Sequence, residues 1–128
     1  MNGTGRRSYI AMLVAAYLLA FALAAVPGEY TAAAGVTPVT SVVGHLALFA
    51  ALAAFTLFVL RRMQTAAAPF LSGVLVLSAA LLTELLQLGV PGRCATLEDF
   101  VLDLGGGAAA FLFLDRAALR PATEEVNR

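Results

Sequence analysis

Four apolar runs, at residues 9–26, 39–60, 69–90 and about 97–114, take up most of this chain of 128 residues. A bilayer core of about 30 Å is crossed by a helix of roughly 20 apolar residues, so each run has the length of one crossing. The runs are continuous rather than alternating, which suits helices that are hydrophobic all round. With 61% hydrophobic and 12% charged residues, the chain also has too little polar surface to coat a water-soluble globule of its size. The expectation is an all-α fold, a membrane-spanning bundle of four transmembrane helices, forming a single domain over residues 1–128 with a loosely ordered polar tail at 115–128. The connections are short, so consecutive helices are expected to be antiparallel neighbours.

Turn residues and arginines mark the ends. Pro27-Gly28 closes the first run, Arg61-Arg62 the second and Pro91-Gly92 the third, while Pro69 opens the third where a first helical turn tolerates proline. The net charge is zero, all eight cations are arginines and there is no lysine, so the basic stripe of a nucleic-acid binder is missing. Arg6, Arg7, Arg61, Arg62, Arg116, Arg120 and Arg128 fall on one side of the expected topology, seven of the eight. By the positive-inside rule that side is the cytoplasm and both termini lie there; Arg93 alone is outside. The basic start, apolar run and small residues near Ala25 also resemble a cleavable signal peptide. The length of the run favours a retained helix. Cys94 is the single cysteine, so it forms no disulfide within the chain and lacks the partners of a zinc site.

Against this background, residues 84–107 place Glu84, Gln87, Arg93, Glu98, Asp99 and Asp103 in a strongly apolar region. An ionisable side chain at membrane depth costs about 2.5 to 3.5 kcal/mol, which sequences accept where it faces a partner or a polar cavity. In the antiparallel arrangement, His45, the Glu84/Gln87 pair and the Asp99/Asp103 pair all come within about 12 Å of one membrane face. Glu84 and Gln87 are spaced i, i+3; Asp99, Asp103 and Gly106 are spaced i, i+4, i+7, so each set is expected to face one way. Ser41 sits one turn outside His45 on the same face. Together these residues predict a polar pocket open to the outer face. Gly105, Gly106 and Gly107 would let a neighbouring helix or a lipid head group approach closely, helix packing being the simpler reading.

Each polar residue has a structural explanation as well. Thr96 and Asp99 fit a capping box, so Asp99 has a role in starting the fourth helix. Glu98 reads as a solvated boundary charge, His45 as a hydrogen-bonded packed histidine, and Arg93 as an interfacial arginine reaching for head groups. Glu84, deeper and without a cation within a helical turn, is the hardest to explain that way.

The pattern Glu84-x-x-Gln87, Pro91-Gly92-Arg93, Asp99, Asp103, Gly106, with His45 near the start of the preceding helix, closely resembles the VanZ-like family of small bacterial membrane proteins. The resemblance covers residues 41–114. Four positions depart from the family: Ser41 and Val42 stand where an Asp-Lys pair is common, Phe49 where tyrosine is frequent, and Asp103 where asparagine is usual. The resemblance implies a multi-pass protein of the bacterial inner membrane. The family takes its name from a protein associated with resistance to the glycopeptide antibiotic teicoplanin, which acts on cell-wall precursors.

Three functions fit these residues. The first is an enzyme of the cell envelope, a phosphotransferase or hydrolase acting at the outer leaflet on a lipid- or polyprenyl-linked phosphate head group. In it His45 is general base or nucleophile, Glu84 orients it or acts as an acid, and Arg93 pairs with phosphate oxygens. Gln87 binds the head group, and Asp99 and Asp103 bind substrate, take part in catalysis, or hold a divalent cation such as Mg²⁺ through oxygen ligands. The second is a non-catalytic protein binding a cell-wall precursor or glycopeptide in the same pocket. The third is a small proton-coupled transporter, against which stands the scarcity of polar residues further along the second, third and fourth runs.

Overall fold

The computed structural model describes residues 3–118, with side chains over residues 3–114. The described secondary structure is helical throughout: α1 Gly3–Ala24, α2 Gly28–Ala33, α3 Pro38–Arg62, α4 Ala68–Gln87 and α5 Leu97–Ala118. Three of these, α1, α3 and α4, are long and apolar enough to cross a membrane, where four were expected. α5 is as long as α1, but Glu98 and Asp99 occupy its first turn and Asp103 follows one turn later.

The helix ends follow local chemistry. Thr37 caps α3 through a reciprocal pair with Thr40, with Thr40 N–H donating to Thr37 Oγ1 and Thr37 N–H to Thr40 Oγ1, and Pro38 fills the first turn. α3 ends on Arg61 and Arg62, whose charges complement the helix dipole. α4 stops at Gln87 rather than Val90, because Pro91 disfavours a helical residue before it. The chain tightens instead into i to i−3 bonds, Gly89 N–H to Leu86 O and Val90 N–H to Gln87 O. α1 begins six residues earlier than its apolar run, at Gly3, and so contains Arg6 and Arg7. α5 continues through residue 118, past the expected end at 114, so the polar tail is helical over its first four residues. The remainder of the tail, with Arg120 and Arg128, lies outside the described residues.

α2 was not expected. Six residues are too few for an apolar period to register in sequence. This segment folds between Pro27, whose carbonyl accepts from Tyr30 and Thr31, and the loop before α5, where Pro91 O accepts the Gly28 N–H at 3.0 Å.

Close helix packing centres on α3 and α5. A Cβ on Gly106 would collide with the Leu46 carbonyl oxygen, and one on Gly107 would lie 3.0 Å from Val76 Cγ1. Gly106 therefore brings α5 against the α3 backbone and Gly107 seats it on α4, the small-residue packing that membrane helices use. Phe49, Leu52 and Ala53 of α3 form a core with Val76, Ala79 and Ala80 of α4 and Ala20 of α1. α1 is the peripheral element: among its described residues only Ala20 and Ala24 are buried, and Tyr17 Oη bonds Thr56 Oγ1 at 3.1 Å. Large apolar side chains such as Leu18, Leu19, Phe70 and Leu85 point outward. An exterior of that kind is solvated by lipid rather than water.

Candidate functional site

His45 and Asp103 form the centre of the site. Asp103, fully buried on α5, holds its Oδ1 2.7 Å from His45 Nδ1 on α3, and its Oδ2 accepts from Thr83 Oγ1 of α4 at 3.5 Å. One turn earlier on α5, Asp99 Oδ1 lies 3.8 Å from His45 Nε2. The i, i+4 acids thus bracket the ring, as their spacing predicts. Gly106, on the same stripe, packs on Leu46, the residue after His45, so the closest helix contact also sets the distance from ring to carboxylate. With Asp103 ionised its carboxylate only accepts, so in that state Nδ1 carries the shared hydrogen and Nε2 of a neutral ring keeps its lone pair.

A cavity of about 320 Å³ opens beside this pair. His45, Asp103, Gln87 and Arg93 line it, with Ser41 one turn before His45 and Thr83 one turn before Gln87. Its apolar wall comes from Leu23 at the end of α1, Val36 before α3, and Leu48 and Phe49 on α3. Ser41 and Phe49, two of the positions that depart from the VanZ-like pattern, are therefore both wall residues.

Arg93 is placed by the loop that carries it. Its Nε donates to Val26 O at 3.0 Å, tying the loop before α5 to the end of α1. The two backbones meet at Gly28 and Gly92 so closely that a Cβ on Gly28 would overlap the Gly92 carbonyl. Gly92 turns there with φ +72, a conformation glycine adopts without penalty. Among the described residues no carboxylate pairs with Arg93, so its charge is uncompensated at the cavity.

Glu84 departs from its expected place. Its Oε2 accepts the Thr96 N–H at 2.9 Å, and its Oε1 is buried without a hydrogen-bond partner among the described residues. It lines a separate cavity with Leu81, Thr96 and Phe100. Gln87 therefore shares its face with Thr83 at i, i+4, not with Glu84 at i, i+3. The orienting contact on His45 belongs to Asp103 and not to Glu84. The capping box is also half formed: Thr96 Oγ1 accepts the Asp99 N–H at 3.0 Å, but the Thr96 N–H goes to Glu84 rather than back to Asp99. Glu84 thus completes the cap from a neighbouring helix, and Asp99 is left to face His45. Glu98 is exposed, as a boundary charge should be.

Among the described residues no three His, Cys, Asp or Glu side chains are grouped to hold a metal ion. Of the two acids considered as cation ligands, Asp103 has both oxygens engaged by His45 and Thr83.

Sequence reasoning missed Thr83 and the contribution of α1 and α2. The Thr83 to Gln87 interval of four was a usable signal. The wall residues Leu23 and Val36 carry none, being ordinary apolar residues in ordinary runs.

A family model described as VanZ/LLP1 matches residues 6–118. No curated protein and no solved structure matches the chain.

Proposed function

The chain belongs to the VanZ/LLP1 family of membrane proteins, and from that premise we propose that it is an enzyme acting on the phosphate of a lipid- or polyprenyl-linked head group. The observation that carries the reading is the His45–Asp103 pair, 2.7 Å apart, beside a cavity that also holds Gln87 and an arginine without a paired carboxylate. A buried acid fixing the imidazole tautomer is how histidine bases are oriented in hydrolases. In the hydrolytic form, His45 Nε2 takes a proton from water and the water oxygen bonds to phosphorus. The bond from phosphorus to the leaving oxygen breaks, and the proton passes from His45 to that oxygen. The Arg93 guanidinium binds the phosphate oxygens as charge builds on them. Gln87 holds the head group, and Asp99, 3.8 Å from Nε2, stabilises the protonated ring.

In this reading residues 1–128 are one domain, and α5 crosses the bacterial inner membrane together with α1, α3 and α4, its acids shielded by the other helices. The arginine distribution supports cytoplasmic termini. The cavity, at the end of α3 remote from Arg61 and Arg62, then faces the outer leaflet. A contribution to glycopeptide resistance, teicoplanin included, would follow from altered turnover of lipid-linked cell-wall precursors.

The test is phosphate release by the purified protein in nanodiscs supplied with lipid phosphates. Loss of turnover in both His45→Gln and Asp103→Ala is the expected result, and full retention in both would sink the enzyme reading. The alternative is non-catalytic capture of a precursor in the same cavity. It is favoured by the predominantly apolar wall and by the use of Arg93 Nε on Val26 O. Binding without product at any time would select it.

A further inference from the structure

Leu48 lines two cavities. One holds His45, Gln87, Arg93 and Asp103; the other, of about 180 Å³, is an apolar groove between α1 and α3. Ala16, Leu19 and Ala20 form its α1 side, and Leu48, Ala51 and Phe55 its α3 side. On α1 the two lie one turn apart, Ala24 lining the first and Ala20 the second. From His45 to Phe55 the α3 axis rises about 15 Å, which is half of a hydrocarbon core of about 30 Å. With His45 about 9 Å below the outer end of the run that starts at residue 39, the groove spans from about 14 Å at Leu48 to about 24 Å at Phe55, past mid-membrane. It exists because Ala16, Ala20 and Ala51 are too small to close the seam that Leu19 and Phe55 hold apart. An unfilled apolar gap forfeits dispersion contacts, and in a bilayer the group that restores them is a hydrocarbon chain.

We propose that this groove seats the tail of a polyprenyl phosphate whose phosphate lies against Arg93 and His45. The proposal rests on the phosphate reading for its head and adds the tail. A glycerophospholipid brings two chains and a glycerol between chain and phosphate, whereas the groove that shares Leu48 with the cavity offers a place for one chain. A prenyl phosphate carries its phosphate directly on one chain. Its methyl branches suit a wall that alternates alanine gaps with Leu19, Leu48 and Phe55.

Binding of farnesyl phosphate and of the short-chain dimethylallyl phosphate to the protein in detergent micelles tests this, with lysophosphatidic acid and dioleoyl phosphatidic acid as comparisons. Ala51 is exposed, so Ala51→Phe fills the groove without entering the core. It is expected to weaken farnesyl phosphate about tenfold, the equivalent of roughly two buried methylenes, and to leave dimethylallyl phosphate unchanged. Comparing variants in one micelle cancels the partitioning of the longer chain. Ala16→Phe, on the opposite wall, should act alike; the pair guards against a folding artefact, which thermal unfolding of each also detects. Equal farnesyl binding in wild type and both variants would overturn the tail site while leaving the head site standing. Unchanged binding of both prenyl phosphates in Arg93→Ala would remove the phosphate reading itself. If lysophosphatidic acid or dioleoyl phosphatidic acid bound as tightly as farnesyl phosphate, with the same sensitivity to Ala51→Phe, the prenyl assignment would be wrong.

Discussion

His45 Nδ1 stands 2.7 Å from Oδ1 of Asp103, a carboxylate with no exposed surface, 58 residues further along the chain. The pair orients the ring and links α3 to α5 in one contact. Asp103→Asn, which installs the amide usual in the VanZ-like pattern, keeps an acceptor for Nδ1 and is expected to fold normally with reduced turnover. Asp103→Ala leaves the ring nitrogen unpaired in a largely buried setting, at about 1 to 3 kcal/mol. Phosphate release should fall in the order wild type, Asp103→Asn, Asp103→Ala, and thermal unfolding should shift clearly only for alanine. Equal unfolding temperatures for the two variants would show that the contact does not support the fold.

Glu84 supplies the acceptor that the cap of α5 lacks. Glu84→Gln keeps a carbonyl oxygen for the Thr96 N–H and should preserve slow hydrogen exchange at that amide. Glu84→Met removes the acceptor at similar size and should expose the amide, costing roughly 1 kcal/mol, as lost caps do. His45 is the only histidine, so its ring nitrogen resonances report without ambiguity whether Asp99 has moved. A shift in Glu84→Met but not in Glu84→Gln is expected; a purely local role would leave the ring unchanged in both.

The gathering of polar groups at one level was legible in the sequence because helical spacing is geometry: Asp99, Asp103 and Gly106 share a face whatever packs on them. The partner of each was not legible. Gln87 lies about 60° around the helix from Glu84 and about 40° from Thr83, and only the position of α5 decides which interval is used. The three apolar crossings could be read directly, while α2 could not, since its short fold is fixed by the Pro91 carbonyl and not by its own pattern. The Asp99 question, cap or site, had no sequence answer, because Glu84 from a neighbouring helix takes the Thr96 N–H that the Asp99 carboxylate would have capped, and that carboxylate lies near His45 instead.

Gly106 is the most demanding position in the α3–α5 contact. An added methyl would meet the Leu46 carbonyl, which is backbone and cannot rotate away, whereas at Gly105 the nearest atom is Leu46 Cδ2 at 3.7 Å. Gly106→Ala is therefore expected to destabilise by about 1 to 3 kcal/mol, the range for overpacking, and to widen the His45–Asp103 contact. Gly105→Ala should be nearly neutral. Thermal unfolding of both variants in one detergent checks this, and equal effects would mean that the helices are not in backbone contact.

Among the described residues α1 is tied to α3 by one side-chain bond, Tyr17 Oη to Thr56 Oγ1, and to the core by Ala20. Tyr17→Phe should cost about 0.5 to 1.5 kcal/mol, the net worth of one such bond, and should leave the apolar contact intact. Because α1 also supplies Leu23 and Ala24 to the cavity wall, intact mass of the membrane-purified protein is expected to include it. A mass lacking this segment would remove that wall and both cavities as drawn.

The topology turns on Cys94, exposed and next to Arg93 in the loop before α5. It is the only thiol in the chain, so a membrane-impermeant maleimide reads one position. In the proposed topology this loop lies outside, and labelling of intact cells is the expected outcome. Labelling confined to permeabilised cells would turn the cavity to the cytoplasm. The His45–Asp103 chemistry would survive that reversal, since it depends only on packing within the protein. The outer-leaflet substrate would not, and cytoplasmic lipid phosphates would become the candidates. The same label can be set against the tail groove: an occupied cavity should slow modification of Cys94 beside Arg93, so farnesyl phosphate is expected to protect the wild type more than the Ala51→Phe variant.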